Sequence, residues 1–155
     1  MKEAVIQIVT AAIGSLGFSI YFRVREKNVI AAMAGGAIGW LVYLVIYHFV
    51  SDLFISNFVA AFIVYLWAEL MARVLKAPSN TYLIPGIIPL SPGGSLYYTM
   101  KGVVDENHTL FVESGKSTIF VTFGMAAGMV VAAVVFHYII KIKTIRKNKE
   151  KSGKV

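Results

Sequence analysis

The chain has 155 residues, of which 57% are hydrophobic and 15% are charged, and its mean hydropathy is +0.71. This composition excludes an ordinary soluble domain, which needs more charge to cover its surface. The absence of cysteine excludes disulfides, thiolate metal ligands and thiol catalysis. The net charge of +7 does not indicate nucleic-acid binding, because seven of the fifteen Lys and Arg residues lie in the last fifteen positions, directly after an apolar run.

Four apolar runs predict transmembrane helices, since a helix needs about 20 such residues to cross the hydrocarbon core. They are residues 4–22, 29–50, 54–72 and 117–140. The first run is too long for a signal-peptide core, and no small-x-small cleavage motif follows it, so we expect a mature span. Between the third and fourth runs, residues 77–100 are mostly apolar but contain all four prolines. That segment predicts a broken crossing or a re-entrant loop rather than a regular helix.

The basic residues form three clusters, at 23–27, 73–76 and 141–154. All three can lie on the cytoplasmic side only if the broken segment also crosses the membrane. This arrangement places twelve basic residues inside and three outside. The sequence therefore predicts an all-α integral membrane protein with about five transmembrane helices, the fourth broken by the Pro/Gly-rich segment. The N-terminus is outside, and a single transmembrane domain, 1–140, precedes a basic cytoplasmic tail, 141–155.

Small residues at helical spacing predict close helix packing, because helices in lipid associate through close backbone approach. They are Gly14 and Gly17 in the first run, Ala32, Gly35, Gly36 and Gly39 in the second, and Gly124 and Gly128 in the last. Packing within the chain explains them more simply than a dedicated dimer seam. Five helices form a thin bundle, however, and we expect several of its faces to be covered by a partner chain.

Glu69 is the one carboxylate inside the apolar runs, and Arg73 follows it at i+4 on the same helical face. Charged groups in membrane segments are costly and usually face protein or water. One interpretation is a coupling carboxylate that titrates or faces substrate and is steadied by Arg73. The other is an ion pair near the cytoplasmic interface, with the arginine reaching outward. The sequence leaves both open.

No catalytic, metal or cofactor site is predicted. His48 and His137 lie near span ends, where amphipathic anchoring explains them better than metal ligation, and no second ligand stands at metal-binding spacing. No histidine is spaced to act on Ser91 or Ser95, and the nucleotide-binding pattern GxxxxGK[ST] is absent. We therefore expect a protein that is not an enzyme.

The broken segment predicts a binding site for an anion. Ser91 suits a helix N-cap and Pro92 the first helical position, so a helix toward Val103 would present free N–H groups around Gly93 to Ser95. Such a helix start attracts a carboxylate or phosphate, and transporters use interrupted helices in this way. A plain proline-rich bend at the interface is the alternative.

Residues 85–94, PGIIPLSPGG, together with Tyr97 and Tyr98, resemble the proline-glycine signature of the threonine/serine exporter family. Specifically, they are similar to the small C-terminal-type membrane module of that family. The upstream stretch ELMAR, at 69–73, with Pro78 after it, resembles the approach to the signature. The resemblance extends over essentially the whole chain. It departs at Ser91, where valine often stands in the family, and this leaves the backbone argument unchanged.

The resemblance implies one subunit of a secondary exporter that moves small carboxylates, such as threonine, serine or succinate, out across the bacterial cytoplasmic membrane. The chain would work in the lipid bilayer with a second, larger exporter-family membrane subunit, and a homo-oligomer is also an open arrangement. No nucleic acid and no cofactor is implied. Candidate substrate-binding residues are Pro85, Gly86, Pro89, Ser91, Gly93, Gly94, Ser95 and Tyr97, and candidate coupling residues are Glu69 and Arg73. A structural subunit without its own substrate site is the alternative.

Overall fold

The computed structural model describes the backbone of residues 2–152 and the side chains of residues 2–142. Within these residues the chain is helical with no strands, so the predicted all-α class is confirmed. The helices are α1 (Lys2–Tyr21), α2 (Glu26–Val50), α3 (Leu53–Val74), α4 (Asn80–Ile87), α5 (Gly93–Val104) and α6 (His108–Ser152), with a 3₁₀ turn at Ile88–Leu90 between α4 and α5.

Four helices are long and apolar enough to cross a membrane: α1, α2, α3 and the part of α6 between His108 and Ile142. They correspond to the four predicted runs. Helix α6 starts nine residues before its predicted run, where the Asn107 side chain accepts a hydrogen bond from the Leu110 N–H and caps the helix. At the other end α6 runs past residue 140, so the predicted domain boundary is not a helix end. The basic residues of the predicted tail beyond Ile142 are not among the residues whose side chains the structure describes.

The relative directions of the helices follow from their closest contacts. Helices α1 and α2 are antiparallel, as are α2 and α3, and short turns join both pairs. Helices α3 and α6 run in the same direction, because Gly124 approaches Phe54, Gly128 approaches Phe58, and Phe136 lies against Arg73. The chain between α3 and α6 must therefore return to the end of the bundle from which α3 starts.

Helix α4 and the 3₁₀ turn make this return, packed between α1, α2 and α3. Tyr82 is fully buried beside Ala32 and Ala68, and Leu90 reaches Val64 in the middle of α3. Eight α-helical and three 3₁₀ residues rise only about 18 Å, less than the hydrocarbon core of about 30 Å. The predicted fourth crossing is thus a short, broken return and not a fifth long helix, and α5 starts within the bundle.

Two proline positions differ from the sequence prediction. Pro85 lies inside α4 and not at a break, and the helix continues past it for two residues. Helix α5 begins at Gly93 with Pro92 at its N-cap, while the Ser91 hydroxyl donates to the Ile88 carbonyl at 2.6 Å. Ser91 therefore closes the preceding 3₁₀ turn, and its predicted role as the cap of the next helix is wrong.

The predicted glycine packing is present in α2 and α6. Gly35 lies against the Trp67 ring and the backbone of Gly86, and Gly124 and Gly128 lie against the carbonyls of Phe54 and Phe58. In α1 the outcome differs, since no atom lies within 4 Å of a Cβ placed at Gly14 or Gly17. Helix α1 approaches α2 through Ala11 and Ser15 instead, because these are the residues that face Gly36.

We expect Gly128→Val to reduce sharply the amount of folded protein. The added Cβ would overlap a backbone carbonyl, which cannot rotate away, and overpacking costs about 1–3 kcal/mol even where side chains can adjust. Gly17→Val is the matched control, because its Cβ meets open space. Size-exclusion chromatography in mild detergent measures both variants, and an unchanged monodisperse yield for Gly128→Val would contradict the α3–α6 packing.

The two ends of the bundle differ in charge. One end, called the basic end here, holds the α1–α2 turn with Arg23 and Arg25, the α3–α4 turn with Arg73 and Lys76, and the C-terminal part of α6. The opposite end holds the α2–α3 turn with Asp52 and the α5–α6 turn, whose acidic residues are Asp105 and Glu106. Helix direction therefore gathers the basic clusters of the described residues at one end, as the charge count predicts.

Candidate functional site

A cavity of about 350 Å³ lies where the return ends and α5 begins. We call it the break cavity. Its walls come from α2, α3, the broken segment and α6, and its lining residues are Trp40, Tyr43, Leu53, Asn57, Pro89, Leu90, Ser91, Pro92, Ser95, Ser117 and Val121. Trp40 and Tyr43 stand about two turns before the end of α2. The cavity therefore extends from these aromatic residues of α2 to Leu53, the first residue of α3.

The polar groups of the break cavity are side chains whose strongest bonds are local. Asn57 is 2% exposed, and its Nδ2 donates to the Leu53 carbonyl at 2.8 Å. The Ser95 hydroxyl donates to the Pro92 carbonyl at 3.2 Å. In the described part of the chain, the amide oxygen of Asn57 accepts no bond, so it is free to meet a ligand donor. A buried polar side chain in an otherwise apolar bundle is costly unless it gains such a partner.

The first turn of α5 adds backbone donors beside this cavity. The first N–H groups of any helix lack partners inside that helix. Gly93 donates to the Ser91 carbonyl at 2.8 Å, and no side chain caps the helix, so Gly94 and Ser95 keep free N–H groups. Together with the positive end of the helix dipole, they favour a carboxylate or phosphate at this point.

The structure divides the predicted substrate-binding residues among several places. Pro89, Ser91 and Ser95 line the break cavity. Gly86 packs against Gly35 and Val64, where it lets α4 approach α2 and α3, and so its contacts are structural. Pro85 lines a separate cavity at the basic end.

Gly93, Gly94 and Tyr97 do not line the break cavity. A Cβ at either glycine meets no atom within 4 Å, and Tyr97 is 63% exposed and packs edge-on against Tyr98. The reason is helix rotation: the first turn of α5 faces α6 through Ser95 and turns these neighbours outward. The predicted contact of the substrate carboxylate with the N–H groups around Gly93 to Ser95 concerns the backbone and stays a prediction, as does a substrate contact of Tyr97.

Sequence reasoning missed Asn57, Trp40 and Tyr43, which complete the break cavity. Asn57 is a strongly polar residue within an apolar run, and that is a detectable signal. Trp40 and Tyr43 carry no such signal, because aromatic residues in membrane spans are common as packing or interfacial residues. Only the position of the 3₁₀ turn against α2 gives them a place in the site.

Glu69 belongs to a different cavity, of about 660 Å³, between α3 and α6. Tyr65, Arg73, Phe136 and His137 share it. Glu69 is twelve residues beyond Asn57, or about 18 Å along α3. The carboxylate therefore does not adjoin the break cavity, although its neighbour Ala68 packs against Tyr82 at the start of the return.

Glu69 and Arg73 do not form the predicted ion pair among the described side chains. The Arg73 guanidinium carbon lies 4.8 Å from the centre of the Phe136 ring, a cation–π arrangement. Arg73 therefore stabilises the α3–α6 contact, and the Glu69 carboxylate is left facing the cavity. The role of Glu69 as a coupling or solute-facing group stays a prediction.

In the portion of the chain that the structure describes, no three His, Asp or Glu side chains come together to form a metal-binding group. His137 lines the Glu69 cavity, and His48 packs against Phe49 at the end of α2. His108 lies at the start of α6, near Phe111.

The fold and the site define a multi-pass helical membrane protein with a broken return helix and a polar cavity at the break. The family model described as threonine/serine exporter, ThrE, matches residues 7–135. The chain belongs to that family, which is one of transporters. No solved structure matches the chain.

Proposed function

We propose that the chain is one subunit of a bacterial secondary exporter that moves small carboxylates, threonine, serine or succinate, out of the cell. In this proposal the substrate carboxylate binds the free N–H groups at the start of α5, and the remaining polar groups of the substrate meet Asn57 and Ser95. The basic end of the bundle faces the cytoplasm, following the positive-inside rule.

The observation that carries the proposal is the break cavity itself. A polar cavity, a buried asparagine with a free amide oxygen and an uncapped helix start coincide at the break in an apolar bundle. Interrupted helices in transporters place their termini at the substrate in the same way. Family membership supports a threonine/serine exporter type of activity.

A structural subunit without its own substrate site is the second candidate. It is favoured by the dispersal of the predicted site residues, since Gly86 is a packing residue and Gly94 faces outward. In that case the break cavity is a packing defect left by two prolines, and the larger partner subunit holds the substrate.

Efflux of radiolabelled threonine and succinate separates these possibilities at the level of the complex. The measurement compares cells that express this chain alone, the larger exporter subunit alone, or both. We expect efflux only with both, because the proposal makes this chain one of two subunits. Full efflux by the isolated chain in liposomes would contradict the need for a partner.

The proposed orientation has its own test. Because the chain has no cysteine, single cysteines can be introduced without background. We expect Glu106→Cys, in the α5–α6 turn, to react with a membrane-impermeant maleimide in intact cells, and Ser152→Cys to react only after lysis. Labelling of Ser152→Cys in intact cells would show that the orientation is the opposite of the proposed one.

A further inference from the structure

A second cavity, of about 340 Å³, lies at the basic end of the bundle, and we call it the basic-end cavity. The α1–α2 turn, the start of α2 and the start of α4 form it. Its lining residues are Phe22, Arg23, Val24, Arg25, Asn28, Ala77, Pro78, Asn80, Thr81, Ile84 and Pro85.

Two helix starts converge on this cavity. Arg25 is the N-cap of α2 and Ser79 that of α4, and neither residue caps its helix through its side chain. The Asn80 N–H group lies in the first turn of α4, where no intrahelical partner exists, and Asn80 lines the cavity. The positive ends of two helix dipoles therefore point to one place.

The charges around the basic-end cavity have the same sign. Arg23 and Arg25 both line it, whereas the neighbouring carboxylate Glu26 does not. Arginine presents a planar set of donors that matches a carboxylate with two parallel hydrogen bonds. The cavity therefore attracts an anion from two guanidinium groups as well as from the backbone.

Asn28 gives evidence for a ligand in the basic-end cavity that is independent of the charges and the helix starts. Its side chain lines the cavity, is 2% exposed, and has an amide oxygen with no hydrogen-bond partner among the described residues. A buried polar atom without a partner is costly, and such an atom in a native structure calls for a ligand or water. The amide of Asn28 offers an acceptor to an ammonium or hydroxyl group and, when turned over, a donor to a carboxylate.

We propose that the basic-end cavity binds the carboxylate of the transported solute before it reaches the break cavity. The two cavities lie at the two ends of the return, with Pro85 on the first and Pro89 on the second. The broken segment thus joins a loading site at the basic end to the site beside α5. This inference rests on the proposed export function for its direction, but the binding itself does not.

The test is equilibrium binding of labelled succinate and of labelled threonine. The full chain, alone and assembled with the larger subunit, is placed in nanodiscs of phosphatidylcholine. We expect Arg25→Gln to weaken binding about tenfold, as the loss of one charge-assisted hydrogen bond predicts. Lys27→Gln is the matched control, because it removes the same charge two residues away but does not line the cavity. It should leave affinity within about twofold, as expected for an exposed charge.

Asn28→Ala distinguishes a ligand site from a structural one. Removal of an unpaired buried oxygen should leave the unfolding temperature unchanged or raised, while binding weakens. The proposal is overturned if Arg25→Gln and Lys27→Gln weaken binding equally. It is also overturned if neither solute binds to the chain alone or to the assembled complex. Unchanged binding by Asn28→Ala overturns it as well.

An anionic lipid headgroup offers the same oxyanion chemistry, and a second preparation with phosphatidylglycerol separates it from the solute. If phosphatidylglycerol abolishes the solute binding that depends on Arg25, the cavity is a lipid site and the loading proposal is overturned. Persisting solute binding supports the proposal. Efflux by the wild-type complex is measured separately. Binding without efflux rejects the export function and retains the site, and efflux that Arg25→Gln leaves unchanged rejects the site's role in loading.

Discussion

Ser95→Leu is expected to lower efflux by the assembled complex at least tenfold. The larger side chain would occupy the break cavity, which the Ser95 side chain lines, and would cover the free N–H groups at the start of α5. The hydroxyl bonds only to the Pro92 carbonyl of its own turn, so its removal costs the fold little. A tenfold change corresponds to about 1.4 kcal/mol, less than one charge-assisted hydrogen bond to the substrate.

Gly94→Leu is the matched control for this prediction. Sequence alone predicts that substrate approaches Gly94 closely, but a Cβ there meets open space and the residue does not line the break cavity. We expect Gly94→Leu to retain most of the efflux, because the substitution keeps the N–H of residue 94 and adds a side chain in open space away from the break cavity. An equal loss in the two variants, at equal assembly, would place the substrate outside the break cavity, on the outward face of α5.

Glu69→Gln is expected to reduce efflux about tenfold. A carboxylate inside a membrane span costs free energy, and such a residue is for that reason a candidate for a functional role. Glu69 faces a cavity that His137 and Tyr65 share, while Arg73 is engaged by Phe136. The substitution removes the one carboxylate charge that faces this cavity among its lining residues.

Glu113→Gln is the control for the charge change, because Glu113 is an exposed carboxylate near the start of α6. Its efflux should match the wild type. Efflux must be normalised to the amount of assembled complex. If Ser95→Leu and Glu69→Gln both assemble normally and export at the wild-type rate, this chain is a scaffold and the partner subunit holds the site.

Sequence reasoning located the spans and the break because both depend on local chemistry. Apolar length alone predicts which segments satisfy their backbone in lipid as helices, and the four long helices are present. The charge count required residues 77–100 to return across the bundle, and the parallel directions of α3 and α6 agree with that requirement. The family signature in the same segment is consistent with the family match.

From the sequence, the site could be predicted only within the broken segment. Pro89, Ser91 and Ser95 line the break cavity because the break brings them together locally, and substrate binding by them stays a prediction. Gly93, Gly94 and Tyr97 do not line it, since the rotation of α5 about its own axis depends on its packing against α6. The same dependence removed Ser91 from its predicted capping role.

The sequence by itself thus determined the membrane class, the spans, the charge asymmetry and the place of the break, because hydropathy, charge and proline act within a few residues of chain. Tertiary structure alone decided that Asn57 and Trp40 meet the break, that Arg73 binds Phe136 and not Glu69, and that two helix starts meet at Asn28. The physical reason is that helices in lipid are rotated and aligned by close packing at small residues such as Gly35 and Gly128. Such contacts join positions far apart in the chain, and local sequence patterns do not predict them.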